Sequence, residues 1–146
     1  QIYEIVLAAQ KAAIQATKPG ADFSDPHSAA VKILSQGMMD IGLIKNNSLD
    51  EIIDKELYKQ FYMHRTGHWL GMDVHDVGDY SKPLQPGMIL TIEPGCYVRP
   101  STDVDKSFWN IGIRIEDDAL VTDSGCALLT RKVPVEISEI ESLINQ

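Results

Sequence analysis

The sequence predicts an α+β fold in which helices pack on one side of an antiparallel sheet. Apolar residues repeat with helical spacing through most of the first 60 residues. After Phe61, glycine and proline become frequent, and short β-type runs replace the helical spacing. Helices followed by strands, rather than alternating with them, are typical of this layered arrangement. A length of 146 residues suits one domain with a closed core.

Two long helices are expected at the start of the chain. The first covers Ile2 to about Thr17, where Pro19-Gly20 ends it. The second begins at Asp25-Pro26, an N-cap residue followed by proline at the first helical position, and it ends at Gly42.

Two shorter helices are predicted from capping-box spacing. Ser48 and Glu51 open a third helix that continues through Leu57. Ser138 and Glu141 have the same spacing and predict a terminal helix.

Three apolar runs are expected to form strands. Pro86-Gly87 marks a turn before a strand at Met88–Glu93, and Ile111–Val121 forms a second strand or a strand pair. Leu128–Val133 is a candidate for a further short strand. Because strand side chains alternate between faces, Gly112, Arg114 and Glu116 are expected to share the face opposite the isoleucines.

The bulk composition excludes several function classes. The net charge of −8 leaves no basic surplus, so nucleic acid is not an expected partner. No apolar run approaches the roughly 20 residues of a bilayer span, so no membrane partner is expected. The two cysteines lack CxxC spacing and no secretory signal opens the chain, which favours free thiols and a cytoplasmic location. The chain begins at Gln1, and we expect a processed product or a fragment of a longer protein.

Three of the four histidines, His64, His68 and His75, fall in one glycine-containing stretch. Gly67 and Gly71 argue against a helix there, so this is not the helical zinc signature. A single histidine in such a place is more often a hydrogen-bonded core residue than a ligand. The fourth, His27, has no partner in the pattern, and we assign it no function.

Two glutamates lie within apolar β-type runs after the histidines. Glu93 ends the first run, just before Pro94, and Glu116 follows Arg114 in the second. Burying a carboxylate is costly unless a cation or hydrogen-bond donors compensate it. Taken singly, each glutamate also fits a solvent-facing position, and Arg114 with Glu116 also fits an exposed ion pair.

Together, an imidazole and two carboxylates form a mixed nitrogen and oxygen ligand set. Such a set suits zinc, manganese, iron or cobalt rather than calcium. Carboxylates that bridge also fit paired metals about 3.5–4 Å apart, the arrangement in many aminopeptidases. Three ligands are too few to hold two metals, so part of the site is expected to lie outside this chain.

Three stretches, His64–Asp76, Thr91–Gly95 and Gly112–Asp117, resemble the metallopeptidases of pita-bread fold. The likeness is greatest to the bacterial Xaa-Pro aminopeptidases, with the prolidases next. It implies that residues 1–146 are the C-terminal half of a pita-bread (creatinase/aminopeptidase-like) catalytic domain, with helices on one side of a curved antiparallel sheet. The N-terminal half, which carries two further aspartate ligands, and the family's N-terminal domain would both be absent.

The resemblance also implies roles for individual residues. His68, Glu93 and Glu116 match metal ligands, with Glu116 bridging and Glu93 exchanging protons with the nucleophilic water. His64 and His75 match histidines that contact the substrate and the tetrahedral intermediate. Arg114 matches an arginine that orients the bridging carboxylate and shapes the proline pocket. Arg65 departs from the glycine that the family often has after the first histidine.

The implied activity of the parent protein is release of the N-terminal residue from Xaa-Pro peptides by a metal-bridged hydroxide. Two divalent metal ions are implied, with Mn²⁺ expected and Zn²⁺ or Co²⁺ as alternatives. The parent is expected to be a homo-oligomer, and the isolated fragment to bind metal weakly, to be inactive and to self-associate. Prolidase activity, creatinase-type chemistry and a non-catalytic pita-bread binding module are the alternatives.

Overall fold

Four helices and five short strands follow one another in the computed structural model, which describes residues 1–145. The helices are α1 (Ile2–Ala16), α2 (Asp25–Asp40), α3 (Leu49–Asp54) and α4 (Ile137–Ile144). The strands are β1 (Ile89–Ile92), β2 (Gly95–Val98), β3 (Ile111–Arg114), β4 (Asp117–Val121) and β5 (Cys126–Leu128). Short 3-10 turns cover Leu57–Gln60 and Lys106–Phe108. The predicted α+β fold is confirmed.

The helix predictions are confirmed in their cores and differ at some ends. The capping box at Ser48 is present, with both reciprocal hydrogen bonds to Glu51. That helix ends at Asp54 rather than Leu57, because Glu56 adopts a left-handed backbone with φ 53°. The capping box predicted at Ser138 is wrong, since the helix already begins at Ile137 and that serine lies inside it.

All strand pairs are antiparallel, in two ladders of order β1-β4-β5 and β2-β3. The Ile111–Val121 run is a strand pair, β3 and β4, as one of the two sequence expectations stated. The strand predicted at Leu128–Val133 is mostly wrong. It occupies Cys126–Leu128 instead, and the chain then turns through a hydrogen bond from the Val133 N–H to the Thr130 carbonyl.

The two ladders share one register. Ile92 faces Asp117 in the first ladder and Gly95 faces Arg114 in the second. The intervening residues therefore follow the same pairing, although Pro94 has no N–H to donate and interrupts the ladder. The Ile115 N–H still donates to the Pro94 carbonyl at 3.3 Å. The interruption lies where the two glutamates are.

A further extended segment, residues 66–70, runs along the free edge of β1. The Glu93 N–H donates to the Thr66 carbonyl, and the Thr91 N–H donates to the His68 carbonyl. The Leu70 N–H donates to the Ile89 carbonyl. The histidine segment is therefore fixed beside β1 by backbone hydrogen bonds.

The core lies between the α1/α2 helix pair and one face of the strands. Small residues such as Ala9, Ala13 and Ala30 are fully buried and allow close packing of the two helices. Leu34 and Met38 of α2 are fully buried in the same core, and truncating either to alanine is expected to cost about 2–5 kcal/mol. The opposite face of β3 stays open, so the structure leaves room there for a site.

Both cysteines are free thiols, as the sequence favoured. Cys96 is buried among core residues, and burial raises the pKa of its thiol to about 12. Among residues 1–145, no helix is both long enough and apolar enough to cross a bilayer.

Candidate metal centre

Glu93 and Glu116 face each other across the interrupted ladder. Glu93 directly follows β1, and Glu116 directly precedes β4. The carboxylate of Glu93 is nearly buried, whereas Glu116 lies on the exposed face together with Gly112 and Arg114. The strand parity predicted from the sequence is therefore confirmed.

His68 is fixed so that one ring nitrogen points into the same space. Its backbone N–H donates to Thr91 Oγ1 at 3.1 Å, and its Nδ1 lies 2.9 Å from the Trp69 carbonyl oxygen. A carbonyl can only accept, so Nδ1 carries the proton and donates. In the neutral ring this leaves the lone pair on Nε2, which lies 3.4 Å from Glu93 Oε1. A second hydrogen bond of this kind is typical of metal-binding histidines.

One ligand atom each from His68, Glu93 and Glu116 lies within 4.8 Å of the other two. Donors bound to one ion at about 2.0–2.2 Å are at most about 4.4 Å apart, so a small closure would complete coordination. The donor chemistry, one imidazole and two carboxylates, fits a divalent transition metal. The residues present therefore fit a metal ion.

The charges at the site also favour a cation. The pKa of Glu116 is raised, first by partial burial and then by the negative charge of Glu93. Glu93 is stabilised by Thr91, whose hydroxyl donates to Oε1 at 3.1 Å, and by Arg114, whose Nη1 lies 3.3 Å from Oε2. Two repelling carboxylates beside an imidazole nitrogen form a pocket that a divalent cation would stabilise.

Tyr97 joins Arg114 and His64 in a hydrogen-bonded chain. The Arg114 Nε–H donates to the Tyr97 hydroxyl at 2.7 Å, and that hydroxyl lies 2.8 Å from His64 Nε2. His64 Nδ1 faces the Arg65 carbonyl at 2.8 Å, so it carries the proton and Nε2 accepts from Tyr97.

Sequence reasoning missed Tyr97 as a site residue, although a signal was present. Tyr97 lies two residues after Gly95 in β2 and faces Gly112 in β3. A Cβ at Gly95 would collide with the tyrosine hydroxyl. Two glycines that flank a tyrosine on a polar strand face leave space for its ring over the site.

The remaining predicted residues lie around an open cleft next to these ligands. The ring of His75 lies 4.3 Å from the ring of His68, centre to centre. The cleft is lined by His64, Arg65, Gly67, His68, His75, Tyr80, Glu93 and Arg114. The structure thus brings His64, His75 and Arg114 to the same cleft as two of the three candidate ligands.

His27 has a partner, which the sequence did not predict. Its Nδ1 lies 3.0 Å from Thr66 Oγ1, and that hydroxyl also bonds Tyr62 at 2.6 Å. Burial lowers the pKa of His27. The contact supports the back of the segment that carries His68.

Similarity to known proteins covers almost the whole chain. The pattern of metallopeptidase family M24 matches residues 1–123. The Xaa-Pro aminopeptidase of Haemophilus influenzae is 45% identical over 149 aligned positions, which cover 99% of this chain and 34% of that protein. The Xaa-Pro aminopeptidase of Escherichia coli is 40% identical, with 99% and 33% covered.

Solved structures agree with the sequence relatives. The aminopeptidase PepP of Pseudomonas aeruginosa superposes with a TM-score of 0.96 at 47% identity, covering 99% of this chain and 34% of that one. A zinc-substituted E. coli aminopeptidase P with bound product gives a TM-score of 0.94 at 39% identity, covering 99% and 33%. The chain spans about a third of the length of these relatives. It belongs to metallopeptidase family M24, whose members use divalent metal ions.

Proposed function

We propose that this chain is the C-terminal half of the catalytic domain of an Xaa-Pro aminopeptidase, which removes the N-terminal residue ahead of proline. The observation that carries the proposal is the convergence of His68 Nε2 with the carboxylates of Glu93 and Glu116. The Xaa-Pro aminopeptidases among its relatives support the substrate class. When bound, the metal ions would activate a water molecule and polarise the scissile carbonyl.

In this proposal, His68, Glu93 and Glu116 would hold the metal ions. Glu93 has a second task, which is to accept a proton at a carboxylate oxygen and return it to the departing amine. Its contacts with Thr91 and Arg114 hold the carboxylate in one orientation.

His64, His75 and Arg114 act on the substrate. The hydrogen-bonded chain from Arg114 through Tyr97 fixes the His64 ring at the cleft wall. We propose that this fixed ring contacts the bound peptide at the cleft wall and holds it in position. Arg114 Nη1 lies 3.3 Å from Glu93 Oε2 in this structure, whereas the resemblance implied that this arginine orients Glu116. We propose that Arg114 also borders the pocket for the proline ring.

The site needs more ligands than this chain offers, and we propose that an upstream segment of the longer protein supplies two aspartates. Within residues 1–145, β3 pairs only with β2, so its other edge is open to a further strand. A hairpin added there would reach the cleft beside Glu116. Contact between the halves would also cover apolar surface that otherwise favours self-association.

We propose Mn²⁺ as the metal, a cytoplasmic location, and a homo-oligomeric parent protein that binds neither nucleic acid nor membranes. The net charge of −8 supports the absence of nucleic acid. Prolidase activity would differ by restricting the substrate to dipeptides.

The experiment compares the chain alone with a version extended upstream through the proposed aspartates. With Mn²⁺, the extended protein is expected to cleave an Xaa-Pro-Xaa tripeptide, whereas the chain alone is expected to be inactive. Glu93→Gln in the extended protein should abolish cleavage, whereas the exposed control Glu139→Gln should not. Cleavage of dipeptides alone would identify a prolidase. Peptide binding without cleavage would identify a binding module, and turnover by the chain alone would contradict the half-domain proposal.

A further inference from the structure

We propose that Asp117, together with Thr130 and Arg131, positions Glu116 for metal binding. Asp117 is the residue next to Glu116, yet its side chain lies on the other face of the strand and is only 2% exposed. The inference rests on the metal centre proposed above and adds three positioning residues to it, none of which touches the cleft.

Both carboxylate oxygens of Asp117 are bound. Thr130 Oγ1 donates to Oδ1 at 2.7 Å, and Gln10 Nε2 donates to Oδ2 at 3.0 Å. Arg131 Nη2 forms an ion pair with the same Oδ2. The Thr130 hydroxyl oxygen also accepts the Asp118 N–H at 3.0 Å. One carboxylate thus joins α1, the start of β4 and the segment after β5.

These contacts fix the backbone of the two residues that directly follow Glu116. Gln10 of α1 holds the Asp117 side chain, and the Thr130 hydroxyl holds the N–H of Asp118. Asp117 also faces Ile92 in register, and Ile92 directly precedes Glu93. Small rotations of this backbone would swing both carboxylates, and a ligand must be held within roughly 0.5 Å of its productive position.

A role in stability alone explains the arrangement less well. An ion pair with a buried carboxylate recovers little net free energy, because removing that charge from water is costly. An apolar pair of similar size would pack this layer at least as well. The charged cluster instead fixes the orientation of the Asp117 carboxylate, because each of its hydrogen bonds is directional.

The test measures Mn²⁺ affinity of the chain by isothermal titration calorimetry. Asp117→Asn is ambiguous, because it also removes a negative charge near the metal. Arg131→Gln is sharper, because removing a nearby cation should strengthen Mn²⁺ binding by electrostatics alone. The proposal instead expects affinity to fall about 10- to 100-fold, the range for residues that support metal ligands. Thr130→Val changes no charge and should weaken binding as well, and Arg131→Lys should restore part of the affinity.

The matched control is Val121→Ala, at the far end of the same strand, where Val121 is buried in the second core cluster. It should destabilise the fold and leave Mn²⁺ affinity unchanged. Equal loss of affinity in the control, or unchanged or tighter binding in Arg131→Gln, would overturn the proposal.

Where the wild-type chain binds Mn²⁺ too weakly to measure, amide hydrogen exchange decides. The Ile115 N–H, which donates to the Pro94 carbonyl, should exchange faster in Arg131→Gln than in Val121→Ala at equal global stability. Equal exchange rates would overturn the proposal. Neither readout involves peptide cleavage, so the result is independent of the substrate proposed above.

Discussion

Glu93 and Glu116 face each other in register at the one point where the ladder between their strands is interrupted. Pro94 removes a donor there, so the two carboxylates are not part of a continuous sheet surface. Backbone pairing fixes the strands on both sides of the gap. The interruption at Pro94 therefore leaves the Glu93 and Glu116 carboxylates between two paired, rigid stretches of strand.

The first prediction concerns Gly67, which lies against the backbone of β1. A Cβ at this position would collide with the Thr91 carbonyl oxygen, a backbone atom that cannot move freely. Gly67→Ala should therefore lower the free energy of unfolding by about 1–3 kcal/mol, measured by urea denaturation. It should also weaken metal binding, because the segment that carries His68 is displaced.

Gly125→Ala is the matched control, since a Cβ there meets nothing within 4 Å. Its stability should stay within about 0.5 kcal/mol of wild type. Equal stability of the two variants would contradict the close packing of residues 66–70 on β1.

The second prediction is that Glu116 lowers the stability of the metal-free chain and strengthens its binding of metal. Its pKa is raised in the folded chain, so the metal-free fold loses stability as pH rises through that raised pKa. Glu116→Gln should therefore stabilise the metal-free chain at pH 7. The gain should be below about 1 kcal/mol, because the side chain is exposed and solvent screens the repulsion.

The same variant should bind Mn²⁺ more weakly than wild type, because it loses a charged ligand. Asp123→Asn removes one negative charge at an exposed position after β4 and should change neither quantity. Thermal unfolding with and without Mn²⁺ measures both effects. Destabilisation of the metal-free chain by Glu116→Gln would show that the carboxylates do not repel each other as the structure indicates.

The third prediction concerns the acid side of the stability profile. Burial lowers the pKa of His27, so the unfolded chain binds a proton more readily than the folded chain. Stability contributed by this residue is thus present at neutral pH and is lost as pH falls below about 6.5.

His27→Gln, which can still reach Thr66, should lose less stability than wild type between pH 7.5 and pH 5.5 in urea denaturation without metal. His75→Gln leaves the contact between His27 and Thr66 intact and should keep the full loss. Identical pH profiles for wild type and His27→Gln would contradict the burial of this imidazole.

Local sequence patterns predicted much of the fold because their physical causes are local. Helical spacing and the Ser48 capping box act within a few residues, and strand parity alone placed Arg114 and Glu116 on one face. The ends were predicted less well, since a left-handed Glu56 or the turn after β5 depends on packing.

The candidate site was predictable through its residue types, but its connections were not. Glu93 and Glu116 are conspicuous as acids in apolar runs, and the resemblance to a known family indicated their partner His68. The site's connections join residues that are far apart in sequence. They are the shared register across Pro94, the hydrogen bond from His27 to Thr66, and the hydrogen-bonded chain through Tyr97. A pattern with a period of two or 3.6 residues contains no information on such pairs.

An anomalous difference map from crystals of this chain grown with Mn²⁺ tests the central claim most directly. The account predicts a peak within about 2.0–2.3 Å of His68 Nε2 and of one oxygen each from Glu93 and Glu116. Absence of a peak, with the three side chains directed away from one another, would contradict it.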